Sequence, residues 1–578
     1  MKLHLEGLSS AFRIGGWRPH RTRGFRVPVI ACRKYTTGSG RESTSGSKLD
    51  YSFVTTPIFY VNSRPHIGHL YTSVIADAYH RFQKIRHGES RPAFLYTGTD
   101  EHGMKIEKAA KAAGCKSVAD HCDSVSSEFR DMCDRFSIDY SDFIRTTESR
   151  HKDTVSHFWR ELKNKDCIYK SHYEGWYCVS DEAFVTDSNV TESSDGKKTK
   201  ISVESGHPVE WTSEENYMFK LSSYLPDVFH WIKTEKPIFP EKFEGTLVRW
   251  IEEGFQDLSV SRPHSRLSWG IPVPDDPSQV MYVWLDALVN YLTVAGYPFS
   301  GSNSSSLNFW PPTLQIVGKD ILKFHGIYWP AFLIAAGLEP PRKILCHCHW
   351  TVDNKKMSKS VGNVVDPISL SEKYGTDGLR YFLLREGTPH SDANFNEEKM
   401  RRLLNAELAD TLGNLLNRCT AKAINPSQIW PVVENFDENQ ISIHGKNLIK
   451  SLEELFDKVE TSYYGLNFYR GLEHIMATVR LANLFVEDEK PWVLAKQSPQ
   501  NPRLLTMLTI VFETLRTTAI IMQPVVPNLS TLVLDRLSIP NEERSWSNIQ
   551  PLLWNSGRNA SNKDLGNFKS IFYARVKQ

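Results

Sequence analysis

The chain has 578 residues, 40% hydrophobic and 24% charged, with a formal net charge of +2. That length holds about three or four separately cored domains, and the near-neutral charge excludes a global field for nucleic acid, so any such contact must come from local basic patches. The sequence shows no apolar run of the roughly 18 residues a membrane span needs, and nine irregularly spaced cysteines read as reduced thiols, not a disulfide framework.

Residues 1–46 stand apart. Before Glu42 the one acid is Glu6, against Arg13, Arg18, Arg21, Arg23, Arg26, Arg33 and Lys34. With Leu3, Leu5, Leu8 and Phe12 able to form an apolar stripe, the segment reads as an organellar presequence. It runs into a Gly-, Ser- and Thr-rich linker over residues 36–48. A disordered basic arm that touches RNA is the alternative.

Residues 51–56 predict a buried strand ended by Pro57. The spacing of Ile67, Leu70, Val74, Ile75, Ala78, Phe82 and Ile85 predicts a helix that closes at Gly88. His66, Gly68 and His69 therefore sit where a strand turns into a helix, and there free N–H groups and the helix dipole favour phosphate. Gly68 permits close approach of a nucleotide, and the two imidazoles can donate hydrogen bonds to phosphoryl oxygens. A second strand is predicted at 92–98, with Asp100 at its C-terminal end, where ligands sit in open α/β sheets. Asp100 reads either as the anchor of an amino group or as the cap of a helix starting near His102. Helices over 117–135 and 149–165 follow, with a short strand at 143–147 between them.

From about Tyr169 the segments become short, aromatic and turn-rich, with a polar stretch at 187–199 that reads as a loop. Cys178 is followed by Ser180, Asp181 and Glu182, and no second cysteine pair appears before Trp284. Zinc needs about four N or S ligands, so no zinc site is expected. Cys346-His347-Cys348-His349 has metal-like letters, but strict alternation along a strand sends side chains to opposite faces.

Residues 280–285 predict a strand, and 314–317 another, followed by a helix with Ile321, Phe324, His325, Tyr328 and Trp329 at helical spacing. Such an aromatic stripe is core or pocket wall. Its place at the end of a parallel strand suits a pocket, and an unbranched thioether packs well on aromatic rings. Lys356-Met357-Ser358-Lys359-Ser360 reads as a mobile loop whose charges and hydroxyls suit a polyphosphate. From Glu397 the pattern is helical to near Leu537, which predicts a bundle. Asn414 and Arg418 lie one turn apart on one helix face. Trp492, after Pro491, reads either as a core residue or as a stacking platform for an unpaired base.

The runs Pro65-His66-Ile67-Gly68-His69 and Lys356-Met357-Ser358-Lys359-Ser360, in that order, resemble the class I aminoacyl-tRNA synthetases. Tyr282-Val283-Trp284-Leu285-Asp286-Ala287 and the run from Gly318 to His325 look like the methionine-site segments of the methionyl-tRNA synthetases, organellar type. The resemblance implies an α/β fold: a Rossmann-like parallel sheet in two halves (47–168 and 280–365), split by a connective insertion (169–279). A linker or stem-contact segment (366–400) and an all-α anticodon-binding bundle (401–578) follow. It implies methionine–tRNA ligase activity (EC 6.1.1.10) through methionyl-adenylate, with ATP and Mg2+ as substrate.

The implied catalytic residues are His66, His69, Lys356 and Lys359, with Gly68, Met357, Ser358 and Ser360 also on ATP. The methionine residues are Ile58, Tyr60, Asp100 (on the ammonium), Trp284, Ala287, Tyr291, Ile321 and His325, with Phe324 and Trp329 behind. A hydrogen bond from His325 or Tyr291 to the sulfur would help reject leucine and isoleucine. The implied anticodon contacts are Asn414, Arg418 and Trp492. Metal-free organellar members fit the missing zinc ligands, and the stretch between the halves is too short for a large editing insertion. The expected partners are tRNA(Met), L-methionine and ATP, for a monomer in the mitochondrial matrix with no membrane contact and no appended oligonucleotide-binding barrel.

Overall fold

The computed structural model describes residues 51–178, 183–185, 187–193, 199–203, 206–299, 309–357, 362–431, 433, 441–549, 563–566 and 572–577, all within one compact unit, Leu49–Gln578. The basic segment 1–46 and the loop residues Ser358, Lys359 and Ser360 lie outside the described residues. Four strands from the first half, Ser52–Thr55 (β1), Phe59–Tyr60 (β2), Ala93–Asp100 (β3) and Asp142–Arg145 (β4), join Ile238–Phe239, Leu314–Gly318 and Ile344–His347. Together they form a seven-stranded sheet in which each pairing is parallel. Burial along β1 and Leu314–Gly318 is continuous, as expected when both faces of a parallel sheet are covered. Val54 lies opposite Leu314, so segments some 260 residues apart in sequence meet in one sheet, and their C-terminal ends open on one side.

The first-half helices are Ile67–His87 (α1), Met104–Ala112 (α2), Val118–Arg135 (α3) and Ser149–Asn164 (α4). α1 ends at Gly88 with φ 55°, a backbone that glycine adopts without a Cβ penalty. Between the sheet halves, Ile168–Cys178 and Val209–Phe219 form a long antiparallel pair. The polar stretch expected to be loop contains Val190–Glu192, paired with Lys200–Ser202.

Two expected elements differ. The strand expected at 280–285 ends at Met281, and a helix, Val283–Val294, begins two residues on. Buried on nearly all sides, that helix carries apolar residues all round, and a short apolar run of this kind does not distinguish strand from helix. The helix after β3 starts at Met104 with Gly103 as its N-cap, at φ 109° and without a side-chain cap, so Asp100 belongs to the strand and does not cap that helix.

Beyond the sheet, Pro367–Tyr374 and Thr376–Glu386 lead to a bundle built on Ile443–Tyr464, Phe468–Glu489, Pro502–Met522 and Pro527–Arg536. Contrary to the sequence expectation, Pro502–Met522 is long and apolar enough by composition to cross a membrane. It is the buried central helix of the bundle, and it pairs Arg516 with Glu513 inside (2.5 Å).

Arg380, fully buried, ties the two regions together. Its Nε donates to Val525 O (2.9 Å), one Nη to Phe136 O (3.0 Å), and the other to Pro524 O (2.9 Å) and to Asp77 Oδ2 of α1 (2.5 Å). Breaking a buried ion pair from one side costs about 3–5 kcal/mol. Arg380→Met is therefore expected to lower the unfolding free energy measured in urea by an amount in that range, with a smaller loss for Asp77→Asn, whose amide oxygen still accepts the Asp139 N–H. An unchanged unfolding free energy for Arg380→Met would contradict this role.

Candidate active site

The first turn of α1 leaves backbone N–H groups without helical partners. Two of them are met by imidazoles. His66 Nδ1 accepts from Gly68 N (3.0 Å), and His69 Nδ1 accepts from His66 N (3.2 Å). A ring nitrogen that accepts carries no proton, so in each neutral ring the hydrogen is on Nε2. The rings stack at 3.8 Å with 22° between planes. Burial holds both neutral, pushing His66 down to about 4 and His69 well below the ordinary histidine value. The helix N-terminus thus offers two uncharged, oriented N–H donors. A Cβ at Gly68 would stand 2.8 Å from His66 Cε1, so only glycine keeps this pair stacked.

The loop after the last sheet strand meets the same turn. Met357 is buried, with its Cε 3.6 Å from where a Gly68 Cβ would stand. On the far side of the loop, Val365 O accepts from Ile67 N (3.1 Å). Both flanks of the Lys356–Ser360 segment are therefore anchored on α1. Lys356 is exposed, and its Nζ is 3.5 Å from Asp320 Oδ2. His349 Nε2 lies 3.1 Å from Asp320 Oδ1. Burial alone would raise the Asp320 carboxyl, but the His349 hydrogen bond and the Lys356 charge outweigh it and hold it well below the usual range. Lys319 pairs with Asp392 (2.7 Å), which also accepts from His349 N (2.9 Å). Asp320 was not among the expected site residues, whereas the sequence puts His347 and His349, on the strand that leads into the loop, near the nucleotide. Asp320 carries the same signal that marked Asp100, a carboxylate just beyond the C-terminal end of a parallel strand.

The metal-like run resolves into separate contacts. His347 Nδ1 donates to Cys348 O (2.9 Å), and its Nε2 accepts from the Thr72 hydroxyl (2.8 Å). Lys242 Nζ lies 3.3 Å from Cys348 Sγ. Among the described residues no three His, Cys, Asp or Glu side chains are placed to share a metal.

The residues that the resemblance assigns to methionine fall in two groups. Tyr60 pairs in register with Asp100 across β2 and β3, both at the strand ends, with Ile58 just before β2 and partly buried. On the other side, Trp284 stacks on Phe324 (3.7 Å, 10°), while Ala287 and Tyr291 are buried on the same helix as Trp284. The segment expected as one helix is a 3-10 turn Lys319–Ile321, a π-turn Phe324–Tyr328 and an α-helix Trp329–Ala336. The π-turn re-aims the aromatic stripe, which single-residue spacing does not reveal. His325 Nδ1 donates to Ile321 O (2.9 Å), so its Nε2 accepts from the Tyr291 hydroxyl (2.8 Å). Burial pushes His325 down to about 4. The Tyr291 and His325 protons are both committed in this arrangement, and neither is left for a sulfur atom.

In the bundle, the Arg418 guanidinium lies 5.6 Å from the Trp492 ring centre and 2.8 Å from Glu487. Trp492 is 38% exposed, so the core alternative does not hold. Asn414 is exposed one turn before Arg418.

Comparison with known proteins gives one answer. The family model described as tRNA synthetases class I (M) matches residues 52–420. The mitochondrial methionine–tRNA ligase of Xenopus laevis is 48% identical over 531 residues, covering 89% of this chain and 92% of its own length. The human mitochondrial methionine–tRNA ligase is 45% identical, with 89% and 88% covered. The structure of Mycobacterium tuberculosis methionyl-tRNA synthetase in complex with methionyl-adenylate superposes with a TM-score of 0.83 at 35% identity, covering 91% of this chain and 100% of that one.

His325 and His347, both buried, are lowered from 6.5 to about 4. Below pH 6.5 the unfolded chain takes up protons that the fold refuses, so their contribution is complete above pH 6.5 and is lost as pH falls toward 4. By pH 5 each should remove about 2 kcal/mol of stability. Urea unfolding at pH 7 and pH 5 should show that loss, and His347→Gln should shrink it by about one histidine's share.

Proposed function

The chain belongs to the class I methionyl-tRNA synthetases, and from that premise we propose how its residues divide the work. The enzyme is a methionine–tRNA ligase of mitochondrial type. It activates L-methionine with ATP, brought as the Mg2+ complex, to methionyl-adenylate and pyrophosphate, and transfers the methionyl group to the 3′ end of tRNA(Met).

In the proposed roles, the methionine carboxylate attacks the α-phosphorus in line, and no side chain becomes a covalent nucleophile. Catalysis is then positioning and charge stabilisation. His66 and His69 donate from Nε2 to phosphoryl oxygens as negative charge builds on them. Gly68 lets the nucleotide approach α1. Lys356 and Lys359, with Ser358 and Ser360, hold the leaving pyrophosphate, and Met357 seats the loop on α1. Asp100 binds the ammonium beside Ile58 and Tyr60. Trp284, Ala287, Tyr291, Ile321 and His325 enclose the side chain. We assign selectivity there to shape and aromatic contact, because the Tyr291 proton goes to His325 Nε2 and the His325 proton to Ile321 O.

The single observation that carries the reading is the pair of Nε2–H donors fixed at a helix N-terminus, with the loop methionine beside Gly68. Asn414, Arg418 and Trp492 read the anticodon, supported by the guanidinium held against an exposed indole. The insertion is read as zinc-free, since Cys178 is the one cysteine between residues 169 and 279. The protein is read as a monomer of the mitochondrial matrix with no membrane contact, delivered there by its arginine-rich first 46 residues.

The deciding experiment is ATP–pyrophosphate exchange with each amino acid in turn and no added zinc. Methionine alone should support exchange. Exchange with a different amino acid, or with none, would overturn the reading, and a requirement for added zinc would overturn the zinc-free insertion. Lys359→Ala should lower the exchange rate by about 100-fold with little change in methionine binding, the signature of an interaction made in the transition state. Trp492→Ala should raise the KM for tRNA by about 10- to 100-fold, the worth of one stacked base, and leave its mark on charging, not on exchange.

A further inference from the structure

A buried group of three titratable side chains lies outside the roles assigned above. Asp286 Oδ2 accepts from His102 Nδ1 (2.6 Å) and Asp286 Oδ1 from His151 Nε2 (2.7 Å). The side chains are 2%, 4% and 0% exposed for Asp286, His102 and His151. A carboxylate without water is costly unless each oxygen is met, and here an imidazole N–H meets each one. The three residues come from three elements: His102 from the turn after β3, His151 from the first turn of α4, and Asp286 from the first turn of Val283–Val294.

We propose that Asp286, gripped by His102 and His151, is a positioning residue that sets the distance between the ammonium anchor and the side-chain wall of the methionine site. The proposal rests on the reading that Asp100 binds the ammonium and that Trp284, Ala287 and Tyr291 line the pocket. His102 is two residues past Asp100, and Asp286 lies two past Trp284 and one before Ala287. The His102–Asp286 hydrogen bond therefore joins the two walls within two residues of Asp100 on one side and one residue of Ala287 on the other.

Both ends of the link are stiff. The β3 turn is held by Trp269, whose Nε1 donates to Glu101 O (2.6 Å) and whose O accepts from Gly103 N (3.0 Å). Glu101 itself takes a two-pronged bond from Arg145 (2.7 and 3.0 Å). On the other side, His151 holds the pocket helix at two points two turns apart, Asp286 and, through Nδ1, Thr293 Oγ1 (3.0 Å). A side chain is measured by length only if the anchor and the wall keep a fixed separation, and a misplacement near 1 Å can cost about 100-fold in rate.

The test is exchange on the full chain, with KM for methionine and for ATP measured separately and norleucine and leucine as competing amino acids. His102→Leu removes one prong, and His102→Asn keeps a donor at the Nδ1 position. His102→Leu should raise the methionine KM by about tenfold and lower the preference for methionine over the shorter, branched leucine by about threefold, with norleucine, of equal length, little affected and the ATP KM within about twofold. His102→Asn should restore both to within about threefold of the parent. An unchanged methionine KM, a parallel rise in both KM values, or an Asn variant as damaged as the Leu variant would overturn the proposal. Where His102→Leu fails to fold, His151→Leu carries the same expectations, and failure of both to fold would assign the group to folding alone and overturn the positioning role. If the parent protein exchanges with methionine and the variants show no split, the positioning role fails and the functional reading stands. If the parent does not exchange with methionine, the functional reading fails first.

Discussion

A guanidinium sealed from water at Arg380 binds α1 to everything downstream of the sheet. Its acceptors come from α1, from the residue after α3 and from the turn between two bundle helices. A buried cation of this kind tolerates no missing partner, so these elements hold their relative places as a set. Further down α1, Arg86 pairs with Glu460 of the bundle (2.5 Å), and Phe82 packs edge-on against Tyr463 and Trp546 (5.5 and 4.9 Å). The helix whose first turn carries His66 and His69 is thus the one whose last turns are held by the bundle. One helix thus runs from the turn that carries the two histidines to the bundle.

The sheet supplies the second constraint. In a parallel arrangement all strand ends of one polarity open on the same side. Asp100 at the end of β3, Asp320 beyond Leu314–Gly318, and His349 beyond Ile344–His347 therefore face one cleft although some 250 residues separate the first and last. The insertion can be long because it leaves after α4 and returns to neighbouring strands without disturbing β1 and its partners.

Much of this was legible in the sequence because it rests on local rules. The α1 N-terminus follows from a strand, a proline and a 3.6-residue pattern closing on Gly88. The place after Pro491 put Trp492 at a helix start but left open whether it was core or exposed, which its 38% exposure decides. What stayed hidden depends on tertiary context. The first residues of Val283–Val294, up to Leu285, read as strand because a helix buried all round loses its amphipathic period. The π-turn at Phe324–Tyr328 leaves no compositional mark. The membrane-like character of Pro502–Met522 was missed because Glu513 and Arg516 interrupt the apolar run, and they are satisfied by each other only in the folded bundle. His102, Asp286 and His151 lie far apart in sequence, and no spacing rule joins them.

The site's charge distribution fits a reaction whose negative charge moves. In the proposed roles the fixed donors, His66 and His69, are neutral, because backbone N–H groups occupy one ring nitrogen of each and burial forbids a second proton. A neutral N–H aimed at a phosphoryl oxygen stabilises charge as it builds without forming a lasting ion pair in the ground state. The full positive charge is placed on Lys356, exposed and near Asp320, at the end of the short strand Lys355–Lys356 from which the loop departs. A leaving pyrophosphate must depart, and a cation on a loop can move with it. A cation fixed in the helix turn would hold reactant and product alike, which lowers KM without raising the rate. In the proposed roles, the division between neutral donors on α1 and charged donors at the loop suits a negative charge that builds and then leaves.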